Sequence, residues 1–116
     1  MKQHLKGLRG EEAAARYMTE RGYEVLARNF RSRRGEVDLI VRRDDTLVFI
    51  EVKSWDAYGA DSLEYAIDAR KQRRIREAGS FFVYRHPHLA AMSMRFDVLL
   101  VRPGGIDHLE NAFDGV

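Results

Sequence analysis

The sequence predicts an α/β domain: an αβββαβ core with a mixed central sheet flanked by helices, followed by a C-terminal strand. Three observations predict it. Apolar residues recur at helical spacing in residues 5–21 and again from about 62 to 84. Residues 36–43 and 46–53 are apolar strand segments on either side of Asp44-Asp45, which marks a hairpin. Two more strand segments, 94–102 and 106–112, follow the second helix.

The first helix is expected to stop at Gly22, in the position just past the last turn where glycine is favoured. Residues 23–30 read as a strand and 31–35 as a basic turn closed by Gly35. A loop over 54–61 contains Gly59. Asp61 or Ser62 would cap a long second helix running to about Tyr84, weakened near its end by Gly79. His86-Pro87-His88 reads as a loop that extends to about Ala91. Pro103-Gly104-Gly105 turns between the last two strands. A right-handed crossover through the second helix would set strand 94–102 parallel to strand 46–53.

The chain has 116 residues, which predicts one domain over 1–116. Hydrophobic residues make up 45% and charged residues 33%, as in soluble globular proteins. No apolar run approaches the roughly 20 residues needed to span a bilayer, so no membrane partner is expected. The first residues lack the apolar stretch of a secretory signal. The chain has no cysteine, which excludes disulfides and thiolate metal sites and fits the cytoplasm. The net charge is only +2, but it is unevenly spread. Arg28, Arg31, Arg33 and Arg34 form one basic cluster; Arg70, Lys71, Arg73, Arg74 and Arg76 form another. Basic patches around an acidic centre suggest a phosphate-bearing partner and a metal. The plain alternative is two solvated faces.

Three charges interrupt apolar patterns, and such breaks are where function is sought. The first is in the hairpin. Alternation puts Asp38 on one face with Ile40, and Val37, Leu39 and Val41 on the other. In the next strand Leu47, Phe49, Glu51 and Lys53 share a face. A hairpin that pairs Arg43 with Thr46 brings Asp38 opposite Glu51. Facing carboxylates repel, and a hard divalent cation between them would remove the repulsion. Lys53 could hold a water or a phosphate oxygen nearby. The alternative is an edge hairpin with its charges in water. The second break is Glu11, near the middle of the stripe formed by Leu5, Leu8, Ala14, Ala15 and Met18; a surface Glu paired with Arg9 or Lys6 is the rival. The third is Lys71, within the stripe of Leu63, Ile67, Ile75, Ala78 and Phe82. It would point to the acidic centre or to phosphate, or else snorkel with its stem on the sheet.

The remaining candidates carry less. His4 and His108 read as isolated, and His86 and His88 flank a proline. No glycine-rich phosphate loop and no Ser-His-Asp arrangement is suggested. Trp55, Tyr58, Phe81 and Phe82 could stack on bases, with Phe81 and Phe82 assigned to the core.

Asp38 followed by Glu51-Val52-Lys53, after a helix bearing Glu11, resembles the PD-(D/E)xK nuclease signature. More closely, the chain resembles the YraN family (UPF0102). The likeness runs through Gly10-Glu11, Ala14, Tyr17, Gly22-Tyr23 and Arg28-Asn29. It continues through Gly35 to Ile40, Phe49 to Lys53, Lys71, Arg95-Phe96-Asp97 and Asn111-Ala112-Phe113. Two positions depart from the pattern: Val37 stands where the signature name has Pro, and Trp55 stands where relatives often carry Arg. The resemblance implies a restriction-endonuclease-like core shared with archaeal Holliday junction resolvases and type II restriction enzymes. It implies metal-dependent cleavage of nucleic acid, DNA ahead of RNA, in repair or recombination structures.

On this reading Asp38 and Glu51, with the carbonyl of Val52, bind Mg2+ or Mn2+, and Glu11 completes the site directly or through water. Lys53 orients the attacking water or donates to the transition state. Glu36 is an outer acid or simply a turn residue at the strand start. Arg31, Arg33, Arg34, Lys71 and Arg74 grip the backbone. The rivals are a nucleic-acid-binding module without catalysis and a structural subunit of a repair or processing complex. No separate recognition domain is expected, so a homodimer or a repair-complex partner would supply substrate choice.

Overall fold

The computed structural model describes residues 2–54 and 68–113, with side chains from residue 10 onward. Leu5, Leu8, Trp55, Tyr58, Gly59, Asp61, Ser62, Leu63 and Ile67, to which the sequence pattern assigns roles, therefore lie outside the residues or side chains described. Helix α1 spans Lys2–Glu20. It ends where glycine permits: Gly22 has φ +89, Gly22 N–H donates to Thr19 O at 3.0 Å and Tyr23 N–H to Met18 O at 3.1 Å. This doubly bonded terminus satisfies carbonyls that the helix leaves unpaired.

Strands β1 (Glu24–Ser32), β2 (Gly35–Arg43) and β3 (Thr46–Ser54) follow. Helix α2 spans Ala69–Arg85, a short 3-10 turn Pro87–Leu89, β4 Ser93–Arg102 and β5 Gly105–Leu109. The five strands form one sheet in the order β1-β2-β3-β4-β5. Only β3 and β4 are parallel, with α2 on the crossover between them. The αβββαββ order and the mixed sheet match the expectation. No helix among the described residues is long and apolar enough to cross a membrane.

Each face of the sheet carries one helix. On one side Ile75, Ala78 and Phe82 of α2 pack with Val37, Ile40, Leu47, Phe49 and Phe96. On the other, Ala14, Ala15 and Met18 of α1 pack with Leu39, Val41, Val48, Ile50 and Leu99. Strand β3 is thus buried on both faces, which is why its sequence is apolar without alternation.

Four boundaries differ from the expectation. Residues 31–35 are not all turn: β1 runs through Ser32 and β2 starts at Gly35, pairing with it. Helix α2 does not run unbroken from 62, because Asp68 is extended (φ -77, ψ 175) and caps it, accepting a 2.8 Å hydrogen bond from Lys71 N–H. The loop after α2 contains the 3-10 turn. Strand β5 ends at Leu109, since Asn111 turns back with φ 51 and Ala112 N–H donates to Phe96 O at 2.7 Å.

Two glycines set the helix position. A Cβ on Gly35 would lie 1.9 Å from the carbonyl oxygen of Arg74, so α2 can cross the start of β2 only over a bare backbone. Gly79 is buried against the ring of Phe49, where a Cβ would sit at 3.2 Å. It closes the helix onto the sheet rather than weakening its end.

Candidate metal and phosphodiester site

The hairpin register counted from the sequence holds: Arg43 pairs with Thr46 and the ladder continues to Leu39↔Ile50. Asp38 and Glu51 are next in the count, but there the backbone ladder ends. Asp38 instead uses its side chain: Oδ2 accepts a 2.8 Å hydrogen bond from Val52 N–H. Strict alternation also fails here. Val37 joins Ile40 in the core beneath α2, while Leu39 and Val41 face α1. Val37 was expected on the face of Leu39 and Val41. The break lies between the pairs Arg28↔Leu39 and Phe30↔Val37, where Asn29 of β1 adopts a left-handed backbone (φ 51), a conformation that Asn tolerates better than most side chains.

Glu51 and Lys53 are both buried near the end of β3. Glu51 Oε2 lies 3.1 Å from Lys71 Nζ and 4.0 Å from Lys53 Nζ. These are charge contacts; Oε2 is buried without a well-directed hydrogen bond. The Asp38 carboxyl is pushed up to about 8. Burial is the main cause, and the neighbouring Glu51, hydrogen-bonded to it and charged, adds to it; the Val52 N–H and Lys71 pull the other way. The Lys71 ammonium leans in from the first turn of α2 and, with Lys53, supplies positive charge beside Glu51. Of the readings open for Lys71, the structure favours the one directed at the acidic centre.

Asp38, Glu51, Val52, Lys53 and Lys71 line a cleft of about 200 Å³ together with Gly10, Glu11, Glu36 and Ser54. Glu11 thus reaches the site from α1 as expected, but its Oε2 accepts a 3.0 Å hydrogen bond from Asn29 Nδ2. Among the described residues no three His, Asp or Glu converge closely enough to hold a metal by themselves. Glu36 sits at the rim, exposed, with Arg31 Nε 3.3 Å from its Oε2. Arg31 is therefore engaged by Glu36 across the β1–β2 pair. Arg33 and Arg34 line a separate, larger groove, and Arg74, though exposed, lines neither.

A second polar centre escapes the sequence reading. Asp97 on β4 is fully buried. It accepts hydrogen bonds from Arg95 Nε (2.9 Å) and Nη2 (3.0 Å) and from Asn111 N–H (2.9 Å), and His108 Nε2 lies 2.7 Å from its Oδ2. Arg95 also donates to Tyr23 OH at 2.8 Å, and Tyr17 OH lies 3.2 Å from His108 Nδ1. A proton on His108 Nε2 satisfies both ring contacts. Burial opposes the Arg95 charge, but the hydrogen bonds to Asp97 and Tyr23 outweigh it and hold the guanidinium above its usual range. His108 is thus not isolated. The signal was available: an aspartate inside the apolar segment Phe96-Asp97-Val98-Leu99-Leu100 breaks a pattern as Glu51 does.

The fold and the cleft define an α/β domain with an acidic, lysine-bearing centre where two central strands part. The model of the family described as "Uncharacterised protein family UPF0102" matches residues 10–101. A UPF0102 protein of Azorhizobium caulinodans is 46% identical over 114 residues, covering 96% of this chain and 84% of that protein. One from Rhodopseudomonas palustris is 41% identical over 109 residues (93% and 82%), and one from Persephonella marina 37% over 110 (95% and 94%). The chain belongs to the UPF0102 family.

Proposed function

We propose that this protein is a metal-dependent nuclease that hydrolyses phosphodiester bonds in nucleic acid, DNA ahead of RNA. One observation carries the reading: Asp38 and Glu51 are brought together in one cleft with the ammonium groups of Lys53 and Lys71. Asp38 holds its proton to about pH 8, and Glu51 Oε2 is buried without a directed hydrogen bond. A bare carboxylate pair is costly to bury, and carboxylate oxygens suit Mg2+ or Mn2+. The donor set therefore fits such an ion, held by Asp38, Glu51 and the carbonyl of Val52, with Glu11 completing the shell directly or through water. When bound, the ion would lower the pKa of a coordinated water and stabilise charge on the scissile phosphate.

The chain's own groups do the rest. Lys53, on the face of Glu51, orients the attacking water or donates to the phosphate oxygen on which charge builds. Lys71 is placed to contact a neighbouring phosphate oxygen. Glu36 and Asn29 flank the site, Asn29 by positioning Glu11. Hydrolysis forms a bond from water oxygen to phosphorus and breaks one ester bond, leaving a phosphomonoester and a hydroxyl. The αβββαββ order and the Asp38 and Glu51-Val52-Lys53 spacing support a place in the PD-(D/E)xK superfamily. A homodimer or a repair-complex partner would supply further substrate choice.

A second reading, a nucleic-acid-binding module or complex subunit that does not cut, draws on Glu11 being held by Asn29. The test gives the purified protein junction, flap, single-stranded and plasmid DNA and RNA, with Mg2+ or Mn2+. Cleavage that falls at least about 100-fold in Asp38→Ala and Lys53→Ala, with binding retained, supports the nuclease. Binding without cleavage of any of these substrates supports the second reading.

A further inference from the structure

A second groove on the described surface is larger than the acidic cleft. It holds about 640 Å³ and is lined by Ser32, Arg33 and Arg34 from the β1–β2 turn and by Arg73, Arg76, Glu77, Ser80 and Phe81 from α2. Four arginines face one glutamate. The helix residues follow the helical repeat: 73, 76, 77, 80, 81 and 84 share one face, opposite the buried stripe of Ile75, Ala78, Gly79 and Phe82. That face ends in aromatic rings. Phe81 is 38% and Tyr84 79% exposed. Their rings stack at 6.4 Å and 24°, Phe81 lies 6.2 Å from Phe30, and the Arg85 guanidinium sits 5.7 Å above Phe81. Phe82 is core as expected, but Phe81 is not. Phe81 is partly packed against Phe30, but together with Tyr84 it leaves aromatic surface in water beside four cations.

We propose that this groove binds a single-stranded nucleic-acid segment, with phosphates against the arginines and an unpaired base stacked on Phe81 and Tyr84. The charge selects a polyanion. The rings select among polyanions, since a base offers its face to an aromatic only when it has left the duplex stack. Contacts to sugar-phosphate and stacking alone carry no sequence preference.

The groove and the acidic cleft are separate but draw on the same two elements, from different faces of α2. Helix α2 gives Lys71 to the cleft and Arg73 and Arg76 to the groove, while the β1–β2 segment gives Glu36 to the cleft and Arg33 and Arg34 to the groove. The close approach of Gly35 to Arg74 fixes helix and turn together. On this proposal a strand held in the groove passes round the start of α2 toward Asp38 and Glu51. Resting on the nuclease reading, this deepens it: the substrate is one with unpaired nucleotides beside the scissile phosphate, such as a flap, overhang or open junction.

The test measures fluorescence anisotropy of a labelled oligodeoxynucleotide in EDTA, where binding is read apart from any cleavage. Three probes of equal length are compared: a natural strand, an all-abasic strand and a blunt duplex. The wild type is expected to prefer the natural strand. The double variant Phe81→Ala/Tyr84→Ala should lose roughly tenfold for the natural strand and little for the abasic one. Arg73→Glu/Arg76→Glu should weaken both, with the salt slope reduced by about 0.7 for each phosphate that is no longer neutralised. Tyr84→Ala alone, at an exposed position, should show the same direction with a smaller loss and keeps the test open should removal of Phe81 disturb Phe30. Equal losses for natural and abasic strands, equal affinity for the duplex, or no binding by the wild type would overturn the proposal. Because EDTA removes divalent metal from the assay, failure here leaves the metal centre standing, and absence of cleavage leaves the groove standing.

Discussion

Among the described residues two acidic centres stand out, and they are built in opposite ways. Asp97 is fully enclosed and surrounded by donors: Arg95 twice, Asn111 and His108. Asp38 meets another carboxylate, has one backbone donor, and is pushed up to about 8 by burial and by Glu51. The first satisfies its charge within the chain. The second sets two carboxyls side by side, with the Lys53 and Lys71 ammoniums near Glu51 and the Asp38 proton retained to about pH 8. The contrast teaches that burial of a carboxylate does not by itself mark a functional site; the two centres are told apart by how their carboxyls are partnered.

Three substitutions sharpen the comparison. The largest effect is expected at the satisfied centre. Asp97→Ala leaves Arg95 and the Asn111 N–H without their acceptor, and should cost about 4 kcal/mol in urea unfolding; a loss below about 1 kcal/mol would break the contrast. The second effect has the opposite sign. Asp38→Asn keeps an oxygen for Val52 N–H and removes the repulsion, so in metal-free buffer at pH 9 it should stabilise the fold by about 2 kcal/mol. The pH dependence follows from the raised pKa. Below about pH 4, near the ordinary value of 3.8, folded and unfolded chains both carry the proton and the group contributes nothing. From there to about pH 8 the unfolded chain has lost the proton that the folded chain keeps, so metal-free stability falls as pH rises and levels off above that point. The gain of Asp38→Asn should grow over the same window in a series of thermal melts. The smallest effect is His108→Phe, which removes one of several Asp97 partners and should cost about 1 kcal/mol.

How much of this was legible depends on which rule governed each part. The β2–β3 register could be counted because Asp44-Asp45 fixed the turn, and each further pair followed by alternation. The parallel β3–β4 pair followed from the crossover. The end of α1 followed from Gly22, since few residues other than glycine accept its φ of +89. Asp38, Glu51 and Lys53 stood out as charges in apolar strands. What stayed hidden depended on tertiary context. The alternation break at Asp38 goes with the left-handed Asn29 on the neighbouring strand, and the role of Asn29 in holding Glu11 is a long-range interaction. Asp68 as the cap of α2 competed with Asp61 and Ser62, equally good capping types. Assigning Phe81 to the core with its neighbour, by contrast, overlooks the helical repeat that buries Ile75, Ala78 and Phe82 and turns Phe81 outward. The network around Asp97 stayed out of view because its partners are scattered over β4, β5 and the turn after it.

The central claim is that the Asp38–Glu51 pair is a divalent-cation centre, and a calorimetric titration of the protein with Mg2+ and Mn2+ tests it most directly. The account predicts binding in the wild type that strengthens as pH rises toward 8 with release of a proton, is lost in Asp38→Asn and Glu51→Gln, and survives in Asp97→Asn. No binding by the folded wild type, or binding that Asp38→Asn and Glu51→Gln leave unchanged, would contradict it.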